Sequence, residues 1–490
     1  MTLSMVESSG TAPGAVMLRS ARTHAMTSVT AGMKMPMRRT YRPTYYAGVH
    51  IVVVGAGLSG LMTARLLGRE GVDVTVVEAA DRVGGRTVSE QLGNGIFDLG
   101  GQWIGPQQSR MAALVCELGL ATFPTYDTGR KVLDVDGRTS TYAGAIPSLS
   151  PVKLAVLQAT IWRIDRLAAR VHASDPWAAP RAVEQDSRTL ASWMRGTIPS
   201  ATVRGVMAAA VRVIFGAEPE ELSLLFALWY IGQGGGILPL VEIRGAAQET
   251  RLVNGAHSVS RAIAMELGDG VVLSAPITEI TQNDHAVDVR SGDKSWSADR
   301  VIVTSPSHMT SRIRFQPGLP AERDALMQRI PMGGTIKFHA LYEGAFWREA
   351  GLSGEMVCTS GPVSVVFDGT SHDGRQPALT GFCVGGAARR LTGLSEERQR
   401  GIFEDVLVRG FGPLARDHTQ MRIKDWCADP WARGCPTGTM PPGVMSMYGP
   451  ALRVPVGRIH WAGTETATEW TGYMEGAVQS AERVVAEVLS

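Results

Sequence analysis

The sequence predicts an α/β fold, with a Rossmann-type dinucleotide-binding domain joined to a second domain of mixed sheet and helices. Three observations carry the prediction. An apolar run at residues 51–54 ends in Gly55-Ala56-Gly57-Leu58-Ser59-Gly60 and passes into helical spacing over residues 61–70. A second apolar run, Val74 to Val77, closes on Glu78. Further on, apolar segments alternate with helical ones, and the last segment feeds a helix at residues 472–489.

The first run suits a strand buried on both faces. Gly55 allows the tight turn out of it, Gly57 lets the backbone approach a pyrophosphate, and Gly60 lets the next helix pack on the sheet. That helix's N-terminus offers unpaired N–H groups to phosphates. Glu78 ends the second strand at the distance where an acid accepts from an adenosine ribose. The run Asp81-Arg82-Val83-Gly84-Gly85-Arg86 follows directly, and a glycine pair beside an arginine suits a second phosphate-facing turn in which Arg86 neutralises charge. Gly100-Gly101-Gln102-Trp103 suggests backbone lying close against a flat ligand.

Residues 109–118 read as a helix, and Asp136-Gly137 between residues 131–135 and 138–142 reads as a hairpin. Helical spacing then runs through residues 154–171, 190–195, 201–214 and 219–231. After a helix following Gly255, strands are expected at residues 271–273, 277–281, 286–290 and 301–306. Later strands fall at 335–342, 363–367 and 378–384, with a helix at 396–409. The strand at Arg458 to Trp461 ends in Gly463, a second place to present N–H groups to a cofactor.

Composition narrows the function. The 490 residues are 44% hydrophobic, with Lys+Arg 48 against Asp+Glu 46. Such a balance gives no reason to expect nucleic acid or an anionic membrane as partner. Five scattered cysteines argue for a reducing compartment, hence a cytoplasmic location, and the ten histidines form no metal-ligand cluster. Residues 222–241 carry no formal charge but are broken by glycines and Pro239, so no transmembrane segment is expected. Residues 1–48 are basic, acid-poor and expected to be disordered.

Two C-terminal stretches, Trp426 to Gly443 and Trp461 to Ala477, resemble the flavin monoamine oxidases, as do the D-R-x-G-G-R run and Pro331 to Lys337. The resemblance covers His50 to the end. It implies a glutathione-reductase-like FAD domain and an amine-oxidase-type substrate domain. Residues 49–130, 250–305 and 425–490 are assigned to the first, and 131–249 and 306–424 to the second. It implies a small-molecule amine as substrate, oxidised to an imine, with O2 as acceptor and hydrogen peroxide as product; a homodimer is a further expectation.

Residue by residue, Lys337 matches the lysine that holds a water against the flavin; the alternative is a snorkelling lysine on a strand. Cys435 matches the cysteine joined to the flavin 8α-methyl group. Pro436 stands where the family has tyrosine, and many bacterial relatives bind FAD without a bond, so both states stay open. Tyr473 matches one wall of the aromatic pair around the amine; the other wall is the tyrosine that Pro436 replaces. Tyr230, Val241 and Gln248 match pocket positions, Val241 as an aliphatic gate. Ile277, Trp426, Gly463, Thr464, Glu465 and Met474 fall with the glycines, Glu78, Arg86, Gln102 and Trp103 among cofactor contacts. The rival is another branch of the same superfamily, an FAD-dependent desaturase or, first, an L-amino acid oxidase. The amino acid oxidase needs a buried arginine for a carboxylate, and Arg244 or Arg212 could serve.

Overall fold

The computed structural model describes residues 48–144 and 149–490. The expectation of disorder for residues 1–48 therefore lies, Gly48 apart, outside the described residues.

Five strands lie in the order Val271–Val272, Asp73–Val77, His50–Val54, Arg300–Val303 and Ile459–Trp461, and every neighbouring pair is parallel. The continuous apolar run has its reason here. Ile51 and Val53 pack under Leu61, Ala481 and Val484 of two helices, while Val52 and Val54 face Ile280, Val287 and Trp461. Both faces are covered, so alternation is lost. The helix Leu58–Arg69 starts three residues earlier than its spacing predicts and lies against the last helix, Met474–Leu489.

A seven-stranded sheet runs in the order Gln420–Asp425, Thr335–Leu341, Ala378–Val384, Val365–Asp368, Leu352–Cys358, Arg130–Val135, Arg138–Tyr142. The predicted hairpin forms its edge, turning through Asp136 at φ 51° and Gly137 at φ 84°. Thr335–Leu341 is buried at every position. One face packs on the helix Glu396–Phe411, with Phe338 stacked on Phe403 at 4.4 Å between ring centres; Lys337 points from the other face.

The strand Leu352–Cys358 was not expected, because Ser353, Gly354 and Glu355 break an apolar pattern that its neighbours make unnecessary. The same holds for Lys294–Ala298, which is mostly exposed. The helix expected from residue 219 begins at Leu224, since Ser223 caps it by accepting from the Phe226 N–H at 3.3 Å. No helix of the described residues is long and apolar enough to cross a membrane. The uncharged stretch at 222–241 is split by Gly234, Gly235 and Gly236 into Leu224–Gln233 and Ile237–Val241.

Candidate active site

A cavity of about 380 Å³ opens at the C-terminal ends of the parallel strands and reaches the seven-stranded sheet. Gly55, Gly57 and Glu78 line it where the first two strands end, together with the helix start at Leu58 and Ser59. Gly57 is the N-cap of that helix and brings no side-chain cap. Gly60 does not touch the cavity. A Cβ there would stand 1.9 Å from the Gly55 carbonyl oxygen, so the glycine sets how closely helix meets strand. The Glu78 carboxylate accepts from the Ala56 and Ala80 N–H groups at 2.6 and 2.8 Å. Burial pushes its pKa up against those bonds.

Gly84, Gly85, Gly101, Gln102, Trp103, Ile277, Trp426, Gly463, Thr464 and Met474 all line the same cavity. Arg86 lines it too, and its guanidinium already has protein partners. Its guanidinium grips Glu465 through two bonds, at 2.6 and 3.1 Å, and donates to the Pro436 carbonyl at 2.8 Å. Burial would push Glu465 upward, but Arg86 outweighs it and holds the carboxyl below its ordinary value. Glu465 thus backs Arg86 and stitches it to the Cys435-Pro436 loop instead of lining the cavity. Arg82 and Arg312 are the other arginines of the lining.

Lys337 is 1% exposed, so the snorkelling alternative fails. Its Nζ donates to the Gly100 carbonyl at 3.0 Å and to Gln102 Oε1, and lies 5.1 Å from the Phe382 ring centre. Burial pulls its pKa down to about 7, opposed by the carboxylate of Asp98. Asp98 is itself held by the Ser89 hydroxyl at 2.6 Å and the Ala256 N–H at 2.8 Å. Cys435 lines the cavity, and burial pushes its thiol up to about 11, against the pull of Arg86 and Lys337.

Tyr473 comes off a loop that Thr464 holds at both sides: the Gly472 N–H donates to Thr464 Oγ1 at 2.9 Å, and that hydroxyl donates to the Tyr473 carbonyl at 2.8 Å. Its ring sits 5.1 Å from Trp470 and 6.2 Å from Tyr230. A Cβ at Gly472 would stand 2.5 Å from the Tyr230 hydroxyl, so the loop tolerates no side chain there. Pro436, Phe367, Phe382, Val213 and Ile214 complete this apolar part, with Gln248. Gln248 spends its amide N–H on the Leu240 carbonyl at 3.0 Å, and its Oε1 is buried without a partner.

The residue expected as an aliphatic gate does not face the cavity. Val241 does not reach the cavity; Leu240, one residue earlier on the same short helix, does. The helix turn between Gly236 and Glu242 sets which residue faces inward, and pairwise matching along the sequence cannot see that turn. Neither arginine offered for a substrate carboxylate is in place. Arg244 is at the surface with Asp127 at 2.9 Å, and Arg212 is taken up by Glu218 and the Thr359 carbonyl.

The residues fit a flavin dinucleotide: an uncapped helix N-terminus and two arginines for phosphates, Glu78 for a ribose, and Trp426, Trp103 and Cys435 around room for a flat ring. A dinucleotide cradle that opens into an apolar chamber beside a buried lysine defines a flavoprotein oxidoreductase. The family model described as "Flavin containing amine oxidoreductase" matches residues 58–489. The chain belongs to this family, and FAD is its cofactor.

It is 36% identical over 447 residues to the bovine (Bos taurus) amine oxidase [flavin-containing] A, spanning 90% of this chain and 85% of that protein. A Dictyostelium discoideum protein named "Probable flavin-containing monoamine oxidase A" is 37% identical over 442 residues, 89% of this chain and 97% of its own length. Among solved structures, cyclohexylamine oxidase from Brevibacterium oxydans superposes with a TM-score of 0.86 at 35% identity, covering 90% of this chain and 98% of that one. Putrescine oxidase bound to putrescine gives 0.87 at 32%, covering 90% and 99%. The protein is an FAD-dependent amine oxidase.

Proposed function

We propose that the amine is a monoamine with an apolar body, taken up uncharged and oxidised to an imine that hydrolyses to an aldehyde and ammonia or a smaller amine, with dioxygen as acceptor and hydrogen peroxide as product. One observation carries the choice of amine. The charged groups that line the cavity are Glu78, Arg82, Arg86, Arg312, Asp429 and Lys337. None of them is a carboxylate beside Tyr473, Gln248 and Phe367 that could receive the second ammonium of a diamine. None there is an arginine free for an α-carboxylate. We place the cofactor-holding part in residues 49–130, 250–305 and 425–490, and the amine-holding part in the remainder of 131–424.

FAD supplies the acceptor for the hydrogen leaving the carbon next to nitrogen. The chain supplies the rest. The apolar walls exclude water, and an ammonium entering them would lose its hydration without a counter-charge, which favours the free amine. The face of Tyr473 orients the nitrogen through its π density. Pro436 offers an aliphatic ring on the side where the family has a second aromatic face, which leaves room for bulk. Lys337, held by Gly100 and Gln102, gives or takes a proton near neutral pH and orders water at the reacting end. The Sγ of Cys435 at the cavity wall supports a thioether to the flavin.

Anaerobic titration of the yellow protein with cyclohexylamine, a linear alkylamine, putrescine and an L-amino acid tests this reading. Bleaching by the monoamines at far lower concentration than by putrescine or the amino acid is expected. Preferential bleaching by putrescine would defeat the monoamine assignment. Acid precipitation of the same sample should leave the colour in the pellet, and in the supernatant for Cys435→Ser; colour in the supernatant for both would remove the thioether.

A further inference from the structure

The wall that carries Leu240, Ala247 and Gln248 is a short segment closed on itself. The Ala247 N–H donates to the Pro239 carbonyl at 2.9 Å, and the Gln248 N–H to the Glu242 carbonyl at 3.4 Å. Its first turn is anchored by Asp165, which accepts from the Ile237 N–H at 3.0 Å. Its outer side is tied to the stretch entering the strand Arg130–Val135. Arg244 pairs with Asp127 at the surface, and Glu242 accepts from Lys131 Nζ at 3.3 Å.

Lys131 is 8% exposed and has a second acid. Glu355, 7% exposed and on the adjoining strand, lies 2.9 Å from the same Nζ. The register pairs Met356 with Val366, which sets Glu355 beside Phe367, and Phe367 lines the cavity. Ile243 packs behind Phe367 and Val365. One buried ammonium therefore serves two carboxylates, and the trio carries a net negative charge when all three are ionised. Burial, with the nearby charges of Glu242 and Asp127, pushes Glu355 up to about 7 despite Lys131. Glu242 is likewise raised by burial, and Lys131 is held protonated by the two acids in spite of burial. Tyr142, opposite Lys131 in the hairpin, is kept neutral by burial.

We propose that Lys131 is the positioning residue of this wall and that Glu355 competes with Glu242 for it, so that protonating Glu355 hands the lysine to Glu242 and tightens residues 239–248 over the amine chamber. The inference rests on reading that chamber as the amine end. Around neutrality the wall then loosens as pH rises, because ionised Glu355 draws Lys131 away from Glu242. Neither acid touches the reacting atoms, so the effect falls on entry and binding and leaves the chemical step alone.

Limited trypsin cleavage of the holoenzyme after exposed Arg244 reads the wall without any amine, so its failure is separable from failure of the amine reading. The wild-type to Glu355→Gln ratio of cleavage rates should be near one at pH 6 and rise about fivefold by pH 8, the top of the range for a water-accessible ion pair. The amine KM of Glu355→Gln should lose the part of its pH dependence that wild type shows in this window, with kcat unchanged. Lys131→Met should be cleaved fast at every pH with raised KM, and Lys131→Arg should restore the slow rate. Should the Lys131 variant not fold, Glu355→Gln decides alone: equal cleavage rates and equal KM profiles for it and wild type from pH 6 to pH 8 overturn the proposal.

Discussion

Lys337 shows how much one side chain depends on what surrounds it. Its position in the strand Thr335–Leu341 was legible from the resemblance of Pro331 to Lys337, but its chemistry was not. The lowered proton affinity comes from burial under the Phe382 and Trp103 rings, moderated by Asp98, which lies in a distant part of the sequence. Near neutrality the residue changes from ammonium to amine, so the rate of flavin reduction in wild type should inflect near pH 7. Stopped-flow profiles of Lys337→Met should lack that inflection and run about a hundredfold slower, in the range of a lost general acid–base group. The folded value is about 7 against an ordinary 10.5, so the folded state binds fewer protons between the two. The penalty is complete below pH 7 and relieved as pH rises towards 10.5, and thermal melts of Lys337→Met should be flatter over that window.

At the scale of elements, the strand–turn–helix at His50 to Arg69 makes two glycines separable. Gly60→Ala places a methyl 1.9 Å from a backbone oxygen that cannot move away, whereas Gly57 has φ −68° and nothing within 4 Å of an added Cβ. Gly60→Ala should lower the melting temperature of the flavin-free protein, at a cost of about 2 kcal/mol or more. Gly57→Ala should melt like wild type and yet load less flavin, because its methyl would intrude into the cavity at the helix N-terminus. Equal flavin content in Gly57→Ala and wild type would contradict that role. Strand Ala378–Val384 and the hairpin turn were legible because local chemistry decides them. Leu352–Cys358 was not, because Glu355 and Gly354 are strand residues only by virtue of Lys131 and Asp368 beside them. Val241 was expected at the cavity wall where Leu240 stands for a similar reason: a five-residue helix rotates the wall by an amount no local signal announces.

For the whole molecule, the sequence announces a cofactor cradle early and an amine chamber late, and the cavity joins them. The placement of Gly55, Gly57 and Glu78 at the cavity was legible because a strand–turn–helix fixes their spacing along the chain. The ion pair of Arg86 with Glu465 was not legible, because the acid lies in the C-terminal part and the motif read by itself shows only the arginine. Arg312 entered the lining without any sequence signal, and Arg82 and Asp429, though inside quoted motifs, were not singled out, since only the fold brings their loops together.

The contact between Ser59 and Ser480 has a consequence in time as well as space. These hydroxyls meet at 2.8 Å across 421 positions of sequence, and the Gly463 N–H donates to Ser59 at 3.0 Å. The helix that begins near residue 58 therefore gains its contacts with the last helix, the larger part of its helix–helix packing, only when that helix is in place. Such a long loop must close before its contacts repay the lost chain entropy, which places cradle closure among the slow events of folding. A ribosome still making residue 460 carries the whole nucleotide motif and no finished place to keep a flavin.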